Sequence, residues 1–148
     1  MKNLCYLTTI IVLLTGLVIH GCGGSEDAPA SDQQQLQGLW TGQMVNVGSE
    51  YKMTISGSNF DFKATDSEVW YKGTFVLNEK VTPKQSDFTI DDCFIEQYKG
   101  TIAKAIYKIE NDTFTFASYE PGVDARPSDF VASDEVQVFT LTKQADKE

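Results

Sequence analysis

Histidine is almost absent from this 148-residue chain: His20 is the only one. Cysteine is nearly as scarce, at Cys5, Cys22 and Cys93 alone. Cations are outnumbered, with 12 Lys and Arg against 21 Asp and Glu and a formal net charge of −9. A surface this acidic repels phosphate backbones, so nucleic acid is not an expected partner. It also opposes docking on anionic lipid by charge alone.

What is present begins at the N-terminus. Lys2 precedes an apolar run, Leu4 to Ile19, broken only by Thr8, Thr9, Thr15 and Gly16. That run has the length of a signal-peptide core and is short for a membrane span, which needs ~20 apolar residues. Ile19-His20-Gly21-Cys22 then resembles a bacterial lipobox: a branched aliphatic residue three before the cysteine and a small residue one before it. His20 stands where a small residue is usual. The resemblance implies a lipoprotein signal peptide over 1–21, cleavage before Cys22, a diacylglyceryl group on its thiol and a palmitate-type acyl group on its new amine. An ordinary secretory cut and a retained membrane anchor are the alternatives. Both are disfavoured because Gly23-Gly24-Ser25 follows with no Lys/Arg cluster to mark a stop-transfer boundary. Each acyl methylene contributes ~0.8 kcal/mol, and two or more chains anchor stably. The expected location is the cell envelope, lipid-anchored on the periplasmic or outer face of a bacterial membrane.

Cleavage sharpens the shortages. The chain from Cys22 onward has no histidine, which removes Ser-His and Cys-His catalysis, His-based zinc sites and imidazole proton relays together. With Cys22 acylated, Cys93 stands alone and no intrachain disulfide is expected. Asp91-Asp92 with Glu96 is a carboxylate grouping to be weighed between a calcium or glycosidase role and a solvated loop, the expected reading; the spacing is not that of an EF-hand. No enzyme activity, no cofactor and no metal site is expected.

Residues 22–35 read as the lipidated cysteine and a flexible tether of Gly, Ser, Asp, Glu, Pro, Ala and Gln. From Leu36 the hydrophobic period becomes two. Alternating segments fall at about 38–45, 51–56, 60–65, 69–77, 88–91, 102–109, 113–117 and 136–141. Gly48-Ser49, Gly57-Ser58-Asn59 and Glu110-Asn111-Asp112 are hairpin turns, Pro83 to Ser86 divides two strands, and the one long gap is 120–134. Eight strands joined mostly by tight turns predict an all-β domain over 36–148, an eight-stranded antiparallel up-and-down barrel, because closure removes the exposed edges. A two-sheet sandwich is the alternative.

Leu36-Gln37-Gly38-Leu39-Trp40 resembles the opening strand of a lipocalin, with its Gly-x-Trp. The resemblance implies that Trp40 plugs one barrel end, that Gly38 shapes the approach, and that a basic residue from the last strand, here Lys143, packs on the ring. A cation over an indole face adds ~0.5–2 kcal/mol. A closer resemblance covers nearly the whole domain. It rests on Tyr71-Lys72-Gly73-Thr74-Phe75, Pro83 before Asp87-Phe88-Thr89-Ile90, Lys99-Gly100 before Ala105-Ile106-Tyr107, Asn111-Asp112-Thr113-Phe114, and Pro121-Gly122 with Arg126-Pro127 before Phe130. It points to an uncharacterised, planctomycete-type family of lipocalin-like bacterial envelope proteins, and no activity comes with it.

The expected role is to bind a small apolar or amphipathic ligand inside a monomeric barrel. Tyr51, Phe60, Phe62, Tyr71, Phe75, Phe88, Phe114 and Phe116 are the candidate wall residues, and Arg126, stiffened by Pro127 at the mouth, or Tyr107 is the candidate orienting polar group. The alternatives weigh against each. Arg126 would instead pair with Glu120, Asp124 or Asp129, the aromatics would pack the lumen solid, and the domain would serve as a structural or protein-docking module of the envelope.

Overall fold

The computed structural model describes residues 29–145; the expected signal peptide and Cys22 lie outside the described residues. Eight strands run in chain order round a closed antiparallel barrel. They are β1 (Gly38–Met44), β2 (Glu50–Ser56), β3 (Asn59–Ala64), β4 (Trp70–Asn78), β5 (Lys84–Cys93), β6 (Ile102–Glu110), β7 (Thr113–Ser118) and β8 (Gln137–Lys143). β8 closes on β1, with Lys143 opposite Trp40 and Phe139 opposite Met44. Every strand has two partners, so the fold is up-and-down and the sandwich alternative is set aside.

Period two builds the wall. Tyr51, Met53 and Ile55 of β2, and Phe60, Phe62 and Ala64 of β3, are buried while their neighbours face outward. The inward set forms one continuous core. Two glycines are there because strands approach closely. A Cβ on Gly73, at the β4 bulge, would lie 1.8 Å from the Thr89 carbonyl oxygen, and one on Gly42 would lie 2.0 Å from that of Thr140.

Two boundaries differ from the sequence expectation. β5 starts at Lys84, not near Phe88, because Lys84 to Asp87 hide a strand behind polar residues; Ser86 points inward among apolar side chains and is fully buried. The tether does not extend to Gln35. Asp32–Gln35 is a helical turn (α1) with Ser31 as its N-cap in a capping box with Gln34. Leu36, 1% exposed, then enters the core.

Strand direction sorts the connections into two poles. The 57–58, 79–83 and 111–112 turns and α1 gather at one pole; the 45–49, 65–69, 94–101 and 119–136 connections gather at the other. The longest of these, 119–136, crosses the outer wall as a strap. Phe130, Ala132 and Val136 cover Ile106, Ala117 and Val138, which form a second small core outside the barrel.

Candidate functional site

The α1 pole is sealed. Trp40 is 1% exposed, and its Nε1 donates to the Leu36 carbonyl at 2.7 Å. Phe114 meets the indole edge-on at 5.8 Å between centroids. The Lys143 ammonium lies 5.5 Å from the Trp40 ring centroid and donates to the Gln35 carbonyl at 2.8 Å, so it holds both the plug and α1. Gly38 adopts φ +107°, a conformation that L side chains rarely take, and thereby turns the chain from α1 into β1. Asp32 completes the seal. Its buried Oδ2 accepts from the Tyr107 hydroxyl at 2.7 Å and from Lys84 Nζ at 2.6 Å. Burial first, and then the Asp32 hydrogen bond, push the Tyr107 phenol far above its ordinary range.

Above this plug lies an aromatic layer. Phe116 stacks on Phe139 at 4.8 Å, Phe62 meets Phe139 edge-on at 5.1 Å, and Phe60 meets Phe88 edge-on at 5.2 Å. The rings fill the barrel's waist and form a floor. Between that floor and the second pole is a cavity of ≈230 Å³, lined deep by Met53, Ile90, Ala103 and the phenylalanines of the layer. Small Ala103 leaves room where a larger side chain would close it.

The cavity's mouth is polar and aromatic. Tyr71 and Phe94 meet edge to face at 5.5 Å, and Tyr98, Tyr119 and Glu120 come from the 94–101 and 119–136 connections. The Tyr98 hydroxyl donates to Glu120 Oε2 at 2.8 Å and so fastens these two connections together across the opening. That bond, with some burial, raises the Tyr98 phenol above its usual value. The Tyr71 phenol is raised well beyond its ordinary range, by burial first and then by Tyr98, Cys93 and Glu120 around it.

The connections of the open pole are strongly acidic. The 119–136 connection carries Glu120, Asp124, Asp129, Asp134 and Glu135; Asp66, Glu68 and Glu96 lie on two others. The cations of these connections are Lys99 and Arg126, and both are engaged. Lys99 Nζ sits 2.7 Å from Glu96 and 3.0 Å from Asp92. Asp92 and Glu96 are therefore bridged by Lys99 at the surface, and Asp91 is exposed beside them.

The ligand residues expected from sequence scatter. Tyr71 lines the cavity, as do Tyr51, Phe60, Phe62, Phe88 and Phe116. Phe75 packs on Phe88 below it at 5.9 Å, Phe114 belongs to the plug, and Tyr107 is held by Asp32 at the sealed pole. Arg126 is not at the mouth. It lies on the outer wall, where Nη1 donates to the Ser86 carbonyl at 2.9 Å and to that of Ala105, while Nη2 pairs with Asp87. Its guanidinium pins the strap, because strand carbonyls and a carboxylate together satisfy the planar donor set. The expected partners were the nearby Glu120, Asp124 and Asp129; Asp124 is held by Lys104 instead. Cys93 is buried, its thiol donating to the Ile95 carbonyl at 2.9 Å, and among the described residues it is the one cysteine.

Sequence reasoning missed Phe94, Tyr98, Tyr119 and Glu120. The available signal was an aromatic residue beside each of two strand ends at one pole. Comparison with known protein families, with curated proteins and with solved structures gives no match for this chain.

Proposed function

We propose that this protein is a lipid-anchored lipoprotein of a bacterial cell envelope that reversibly binds a small apolar or amphipathic molecule in its barrel. The observation that carries the binding reading is the ≈230 Å³ cavity between the aromatic floor and the polar mouth. Apolar depth supplies desolvation and a polar rim orients the ligand, which is how small-molecule sites are built. The volume is below the ~300–1,000 Å³ of drug-sized pockets, so the fitting occupant is a short chain or a single ring system. A structural or docking module with a filled barrel fits the sealed half and leaves the cavity without a role.

The anchoring part rests on the lipobox at Ile19 to Cys22. It is tested by clickable fatty-acid labelling of wild type and Cys22→Ala: label is expected in the former only, and equal label in both overturns it. The binding part is tested by native mass spectrometry of the full chain released from detergent. A bound small molecule is expected, and Ala103→Leu, which fills the cavity, is expected to remove it. An adduct retained by that variant overturns the lumen as the site.

A further inference from the structure

We infer that the cavity selects amphiphiles with an ammonium head and rejects those with a carboxylate head; this rests on the lumen-binding reading above and names its ligand class. No Lys or Arg lines the cavity, whereas Glu120 does. The two cations of the mouth connections are already taken: Lys99 by Asp92 and Glu96, Arg126 by Asp87 and two strand carbonyls on the outer wall. A carboxylate head entering here would meet carboxylates without a cation to pair with, and desolvating it unpaired is costly.

An ammonium head meets the opposite conditions. Glu120 offers a carboxylate at the opening, with Tyr98 hydrogen-bonded to Oε2 alone. Around it stand Tyr71, Phe94, Tyr98 and Tyr119, whose ring faces carry negative quadrupole potential. Carboxylate plus aromatic faces is the chemistry that recognises alkylammonium groups. Burial first, and then Tyr98, Cys93 and Glu120 around it, make the Tyr71 hydroxyl resist ionisation, in keeping with a spot that disfavours a second negative charge. The tail would lie over the aromatic floor, where Ala103 leaves space.

The test uses three probes with one tail: hexyltrimethylammonium, hexanol and hexanoate. Each is titrated calorimetrically into the full chain in non-ionic detergent, with protein-free detergent as the blank. The ammonium is expected to bind about tenfold or more tighter than hexanoate, with hexanol between them. Glu120→Gln, at an exposed residue, should shrink the ammonium advantage several-fold and leave hexanol unchanged, and added salt should weaken the ammonium selectively. Equal binding of all three overturns the head-group selection and leaves the lumen reading intact. Ammonium binding unchanged in Ala103→Leu places the cation outside the lumen and overturns the inference. No binding by any probe overturns both.

Discussion

The two poles of this barrel are made from the same strands and do opposite things. At the sealed pole each large side chain has a fixed partner: Trp40 with Leu36, Phe114 and Lys143, and Tyr107 with Asp32. At the open pole aromatic groups of comparable size, Tyr71, Phe94, Tyr98 and Tyr119, stand around a cavity. The difference lies in the connections. Short turns and a capped helical turn fold over one end, whereas connections of eight and eighteen residues, 94–101 and 119–136, rim the other. Satisfied polar contacts and dense packing stabilise, while a binding site gives up part of both for access.

If the sealed pole is the stability centre, Trp40→Ala should have the largest effect. Removing a fully buried indole costs ~3–5 kcal/mol, so thermal unfolding should shift down by more than about 10 °C. A shift under ~3 °C would mean that the plug does not carry the fold. Next comes Asp32→Asn. It strips the charge that Tyr107 and Lys84 both contact, but Lys84 is 40% exposed and water can replace part of the loss. About 1–3 kcal/mol is expected in urea unfolding, and the loss should be smaller in a Tyr107→Phe background, since the two share one contact.

Alkali should distinguish the poles from ordinary surface. Tyr71 and Tyr107 have phenols raised above the ordinary 10.0. In the unfolded chain they ionise near that value, so the folded state retains their protons while the unfolded state releases them. Their stabilising effect is complete below pH 10 and falls as pH rises above it. An ultraviolet phenolate titration should therefore show a late fraction, reduced by Tyr107→Phe and again by Tyr71→Phe. A single uniform step near pH 10 would contradict this.

Changes at the open pole should be mild for stability. Ala103→Leu fills existing space and should alter unfolding free energy by less than ~1.5 kcal/mol while removing ligand. Tyr98→Phe, the smallest change, deletes one partly exposed hydrogen bond and should cost under ~1 kcal/mol. Its effect should appear instead as faster local hydrogen exchange in 94–101 and 119–121. If Tyr98→Phe destabilised as much as Trp40→Ala, the contrast between the poles would be lost.

The strands were readable because period two survives wherever one face is buried, as in Tyr51-Lys52-Met53-Thr54-Ile55. It failed at Lys84 to Asp87, where inward Ser86 is polar and outward residues are polar too. Gly38 and Trp40 could be assigned a place by resemblance; the structure adds the positive φ and the Leu36 hydrogen bond, which no spacing reveals. The cavity was the least legible part. Its lining comes from all eight strands and three connections, and membership depends on height along the barrel, which an alternation pattern does not encode. Phe75 and Phe114 alternate correctly and lie too low. Arg126 misled because a loop near the mouth in sequence is a strap on the outer wall in space.

Asp32 ties the first turn of the described chain to Tyr107 and Lys84 beneath the sealed end. The described chain thus enters the barrel at its closed end, like a stem joining the foot of a goblet, while the goblet's lip opens at the far side. Under the anchoring and lumen binding proposed above, grip would fall on the foot and traffic on the lip, and the two would be kept apart.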